Sequence, residues 1–74
     1  MQKSIHSREY ITVVKKLREA REAAGLTQAE AAENLAKPQS YISKIERGER
    51  RIDVVELSKL ATLYRQKMEY FLND

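Results

Sequence analysis

Two glycines and one proline punctuate the middle of this chain, and they leave room there for two short helices only. The stretch from Thr27 to Gly48 reads TQAEAAENLAKPQSYISKIERG. Gly25 ends what precedes it as a helix-terminating residue, because a left-handed backbone carries no Cβ penalty in glycine. Thr27 and Glu30 have the spacing of a capping box, hydroxyl to the third amide and carboxylate back to the first. The helix they open runs to about Leu35. Ala36-Lys37-Pro38 breaks it, with proline suited to the first turn of the next helix, where its missing N–H is not needed. Gly48 closes that second helix.

The flanks are helical too. After Ser7, a plausible N-cap, the residues Tyr10, Val13, Val14, Leu17, Ala20, Arg21 and Ala24 recur at spacings of three and four. Lys15, Lys16, Glu19 and Glu22 take the opposite face. Downstream, Asp53 and Glu56 repeat the capping-box spacing. Val54, Leu57, Leu60, Ala61 and Tyr64 then make an apolar stripe, widened by Val55 and Leu63. Arg65-Gln66-Lys67 interrupts the pattern weakly, and Met68, Tyr70, Phe71 and Leu72 form a fifth apolar segment. Composition agrees, being rich in Ala, Leu, Glu, Lys and Arg and poor in glycine. The expectation is an all-α, compact five-helix bundle with a central helix-turn-helix. A flexible arm spans residues 1–7 and one domain spans 8–74.

Several function classes fall away. The 74 residues contain no cysteine and one histidine, His6. That leaves no thiolate metal site, no cluster of the usual ligands and no cysteine- or histidine-based nucleophile. The carboxylates lie among basic residues at helix-surface spacing, and no glycine-rich phosphate loop exists. No enzyme, cofactor, metal or small-molecule ligand is expected. The N-terminus lacks the apolar run of a signal peptide and no run reaches membrane-span length, so a cytoplasmic setting is expected.

Nucleic acid is the sharper possibility. The net charge of +3 is weak evidence, but Lys37, Lys44, Arg47, Arg50 and Arg51 concentrate around the short second helix of the central pair. Ile42 and Ile45 give that helix one narrow apolar edge. Its other residues, Gln39, Ser40, Ser43 and Lys44, are polar. A glutamine amide can bond an adenine edge bidentately, and a lysine can reach guanine acceptors. Read alone, Gln39 and Ser40 fit an ordinary exposed helix better than a base-reading one, and Lys44 fits a solvated lysine. Tyr41 fits the core edge as well as a DNA contact, and Arg50 and Arg51 fit connector charges.

The segments LREAREAAGLTQAEAAENLA, YISKIERGERR and KMEYFL, in that order, resemble the lambda-repressor and Cro type of helix-turn-helix, the xenobiotic-response-element family of regulators. The resemblance covers about three quarters of the chain, from Leu17 to about Leu72. Two positions depart from it: Ala36 stands where the family has a turn glycine, and Lys37 where it has an apolar residue. The resemblance implies a sequence-specific transcriptional regulator of double-stranded DNA, associated with the nucleoid. Gln28 would bond a phosphate. Gln39 and Ser40 would read bases, with Tyr41, Ser43 and Lys44 on bases or backbone, and Arg47, Arg50 and Arg51 on phosphates. Arg21 and Glu46 match a buried ion pair joining the first helix to the third. A homodimer on a palindromic operator is expected, with Tyr64, Met68, Tyr70, Phe71 and Leu72 as its seam. The alternative is a protein-interaction module, such as an antitoxin or accessory subunit, that keeps the fold without reading DNA.

Overall fold

The caps and stops place five helices in the computed structural model, which describes residues 7–73. They are α1 (Arg8–Ala23), α2 (Gln28–Asn34), α3 (Gln39–Glu46), α4 (Val54–Leu63) and α5 (Met68–Leu72). Ser7, counted above with the arm, caps α1 by accepting from the Tyr10 amide. The rest of the arm lies outside the described residues. Both capping boxes form: Thr27 with Glu30 on α2, and Asp53 with Glu56 on α4. Pro38 is the N-cap of α3 rather than its first helical residue.

The helices end more uniformly than the sequence suggests. At α1 the Gly25 amide donates to the Glu22 carbonyl and the Leu26 amide to the Arg21 carbonyl. This paired closure, with a left-handed residue just past the cap, is the Schellman motif. It recurs after α2, α3 and α4, with Ala36, Gly48 and Arg65 in the left-handed position. A Cβ built on Gly25 or Gly48 would meet nothing within 4 Å. Glycine serves there for its backbone freedom at φ 76° and 71°, not for space. Ala36 and Arg65 adopt φ 56° and 63° without that freedom.

α2 and α3 pack on each other, and α1 packs on α3 and α5. Leu17 and Ala20 from α1, Ala31 and Ala32 from α2, Ile42 and Ile45 from α3 and Leu60 and Ala61 from α4 are almost fully buried. Two alanines on α2 let α3 approach closely, which a short helix needs because it cannot persist alone in water. Three expectations change. Val54 does not belong to the core stripe of α4 and Val55 does not widen it; they are 69% and 59% exposed. Tyr41 joins Ile42 and Ile45 on the buried edge of α3. Tyr64 and Phe71, assigned above to a dimer seam, are buried inside the monomer at 3% and 1% exposure, because α5 folds back against α1 and α4 and needs them as its own core. Their rings are therefore unavailable to a partner. Met68 and Tyr70 are half-buried and Leu72 is exposed. No described helix is long and apolar enough to cross a membrane.

Candidate nucleic-acid interface

The polar face of α3 is tied to the interior through one connected chain of side chains. It starts at Arg21, a charged residue on the apolar face of α1. Arg21 donates through Nε and Nη2 to the two oxygens of Glu46, at 2.7 and 3.1 Å, and through Nη1 to the Leu26 carbonyl. Both side chains are nearly dry, at 9% and 5% exposure. The carboxylate bonds raise the Arg21 pKa further, against the opposing effect of burial. Glu46 Oε1 also accepts from Gln28 Nε2 at 3.0 Å, and Gln28 Oε1 accepts from Gln39 Nε2 at 3.3 Å.

This chain decides amide orientation. A carboxylate only accepts, so the Gln28 nitrogen must face Glu46 and its oxygen must face α3. That oxygen in turn draws the Gln39 nitrogen. Gln39 is left with one N–H and its carbonyl oxygen unbonded among the described residues, the donor and acceptor that an adenine edge requires. Gln28 keeps one N–H of its own at the start of α2. The sequence reading assigned Gln28 to a phosphate alone; the structure adds its bridge between Glu46 and Gln39.

The remaining assigned residues differ in what holds them. Ser40 and Lys44 are exposed, as is Gln39, and the half-buried Ser43 donates its hydroxyl back to the Ser40 carbonyl. Arg47 is held by Glu49 through two bonds of 3.1 and 3.0 Å, which raise its pKa and lower that of Glu49. Arg51 is exposed. Arg50 and Tyr41 form a separate clasp. The Arg50 guanidinium lies 4.7 Å from the Tyr41 ring and donates to Glu56 at 3.2 Å. Burial pushes the Tyr41 phenol up to about 12, and the nearby Glu56 carboxylate adds to this. Burial also pushes the Glu56 carboxyl up. The Arg50 bond and the Asp53 amide outweigh it, and the net shift is downward. Tyr41 thus stands in the core with one edge toward the basic connector, and its ring braces α3.

From sequence, Lys37 reads as one more positive charge near the phosphates and Glu56 as a capping residue, and Glu49 has no role. The departure at Lys37 was visible; the two acidic partners carry no signal apart from the capping spacing of Glu56. Tyr10 was also read only as apolar. Its phenolic oxygen accepts from the Ile52 amide at 2.8 Å and fixes the connector between α3 and α4. A concavity of about 610 Å³ lies between α1 and the end of α3. Its charged lining residues include the Arg18–Glu22 pair, and no three His, Cys, Asp or Glu among the described residues could hold a metal ion.

A small helix packed through alanines on a second helix, presenting a row of amide, hydroxyl and ammonium groups, is the form of a major-groove reader. The helix-turn-helix family profile matches residues 17–71. The chain belongs to this family, in its Cro-like class. The regulator ImmR of Bacillus subtilis (strain 168), described as an HTH-type transcriptional regulator, is 45% identical over 58 residues. That match takes in 78% of this chain and 46% of ImmR, so the chain spans about half of that regulator's length. The crystal structure of the restriction-modification controller protein C.AhdI from Aeromonas hydrophila superposes with a TM-score of 0.75 at 33% identity. It covers 82% of this chain and 88% of the controller. Residues 17–71 thus form a helix-turn-helix domain of this family.

Proposed function

We propose that this helix-turn-helix protein is a sequence-specific regulator that lays α3 in the major groove and binds a palindromic operator as a homodimer. The observation that carries base reading is the chain Arg21–Glu46–Gln28–Gln39. A surface glutamine with no such support would lose side-chain freedom on binding DNA. Gln39 is held in advance, with a donor and an acceptor still open. Ser40 and Lys44 stand beside it on bases or backbone, Gln28 and Arg51 meet phosphates, and Arg47 reaches one by exchanging Glu49 for it. Half-site recognition by one short helix is a small contact, and two-fold pairing would set two α3 helices about 34–36 Å apart, one turn of DNA. The exposed Leu72, with the half-buried Met68 and Tyr70 beside it, supplies apolar surface for that pairing. The protein would act where the nucleoid lies, in the cytoplasm, without catalysis of its own.

The exposed apolar side chains of Val54, Val55 and Leu72 favour a second reading, a protein-interaction module that retains the fold. Selection of duplexes from a random pool separates the two. A reader of DNA enriches an inverted repeat and binds it with an affinity that falls steeply with salt, as counterions leave the phosphates. Gln39→Ala should then relax preference at one base pair per half-site, at a cost of about 1–3 kcal/mol in discrimination. No enrichment would leave the interaction module as the better account.

A further inference from the structure

Beside the start of α3 lies an open concavity of about 470 Å³ that Gln39 does not line. Lys37, Ser40, Lys44, Arg50 and Glu49 surround it, and the Tyr41 ring lines it too. Two cations approach that ring: the Arg50 guanidinium at 4.7 Å and Lys37 Nζ at 5.3 Å. They differ in what neutralises them. Arg50 is paired with Glu56, and Glu49 is occupied by Arg47. Lys37 and Lys44 have no carboxylate within 4 Å among the described residues. The concavity therefore carries uncompensated positive charge next to the Ser40 side chain. The negative face of the Tyr41 ring holds the Lys37 ammonium near it, which reduces the rotamer freedom that binding would otherwise remove.

We propose that Lys37, seated on the Tyr41 ring, joins Lys44 and Ser40 to grip one phosphodiester group of the DNA backbone beside the bases that α3 reads. This rests on the reading of α3 as the base-reading helix. A phosphodiester suits the place because its charge is single, its oxygens accept from ammonium and hydroxyl together, and the groove edge brings it to the first turn of α3. Lys37 fixes register and Gln39 reads sequence. The lysine that replaces the family's apolar residue would then serve affinity for any duplex alike.

The test uses the full chain and a duplex selected by the wild type. Affinity is measured across a salt series for wild type, Lys37→Met and Lys37→Arg, with a thermal melt of each. Lys37→Met keeps an apolar stem on Tyr41 without the charge. It should lower the slope of log affinity against log salt by about 0.9, one phosphate's share. Base preference should not change, and Lys37→Arg should restore the slope. In a second arm, single phosphates are replaced by neutral methylphosphonates. One position should weaken the wild type and leave Lys37→Met unaffected. A third arm adds inorganic phosphate at constant ionic strength, and no competition beyond that of chloride is expected. An unchanged slope and methylphosphonate profile in Lys37→Met would overturn the grip and leave base reading standing. Altered base preference in Lys37→Met, or specific competition by inorganic phosphate, would also overturn it. A wild type that binds no duplex overturns both proposals.

Discussion

Arg21–Glu46 and Arg50–Glu56 brace opposite ends of α3, and they do so in different environments. The first pair has side-chain exposures of 9% and 5%, the second 39% and 21%. Glu46 accepts from both forks of Arg21 and from Gln28. Glu56 accepts from Arg50 and from the Asp53 amide, and its influence reaches Tyr41. Dry and satisfied, the first pair acts as frame: its loss would strand a charge in the core. The second stands half in water, where ion pairs are weak and screened, so it acts as a clasp that competing charge can loosen. On the proposed reading, recognition benefits from the asymmetry. Glu46, at the C-terminal end of α3, keeps Gln39 aligned through Gln28, and the half-exposed Arg50–Glu56 clasp on Tyr41 can adjust to the DNA backbone.

The largest test of this contrast is Glu46→Ala. Breaking a buried pair by removing one partner costs about 3–5 kcal/mol, a large share of the stability of so small a domain. Thermal melts should show a fall of many degrees or no folded state. A melt like that of the wild type would make the two pairs equivalent and end the comparison.

A smaller effect concerns the turn at the start of α3. Ala36 holds φ 56°, where an alanine is strained and a glycine is not. Ala36→Gly should stabilise by up to about 1 kcal/mol after the extra unfolded-state entropy of glycine is counted. For a domain of this size that is a rise of about 4–8 °C in Tm. A fall in Tm would mean that the turn draws its stability from something other than backbone conformation. The rise should also leave base preference intact, since the Schellman bonds already set the entry angle of α3.

The smallest effect is in pH. The Glu56 carboxyl is lowered from 4.5. A depressed carboxyl contributes stability above its unfolded value and loses it as pH falls through its folded value. Tm of the wild type should therefore drop more between neutral pH and the range below 4.5 than Tm of Glu56→Gln, in which that contribution is absent throughout. Parallel acid profiles would show that the outer clasp contributes nothing in solution.

Much of the fold is legible in the residues. Gly25 and Gly48 announce helix ends because only glycine takes a left-handed backbone without strain. Thr27 and Glu30, and Asp53 and Glu56, announce helix starts because their side chains bond amides three residues away. Those are local interactions, and local interactions leave local patterns. Ala36 and Arg65 end helices in the same motif without any such mark. There the paired amide bonds close the helix although the residue has a Cβ. The exposure of Val54 and Val55 was hidden for a related reason: a stripe has a width, and only the placement of α1 and α5 shows where the core stops.

The candidate site divides along the same line. Residue types at the start of α3, and the pairing of Arg21 with Glu46 through family likeness, could be read directly. The relay through Gln28, the sequestration of Arg47 by Glu49, and the two cations on the Tyr41 ring could not. Each joins side chains from different elements, and no periodicity records such a meeting. By itself, then, the sequence determined where helices begin and end and which polar residues top α3, because capping and helical period act within a turn or two of chain. Tertiary structure decided how those residues are held: which amide end Gln39 presents, which arginines are already engaged, and whether Tyr64 and Phe71 face a partner or the core. Those depend on distances across the bundle, which only packing sets.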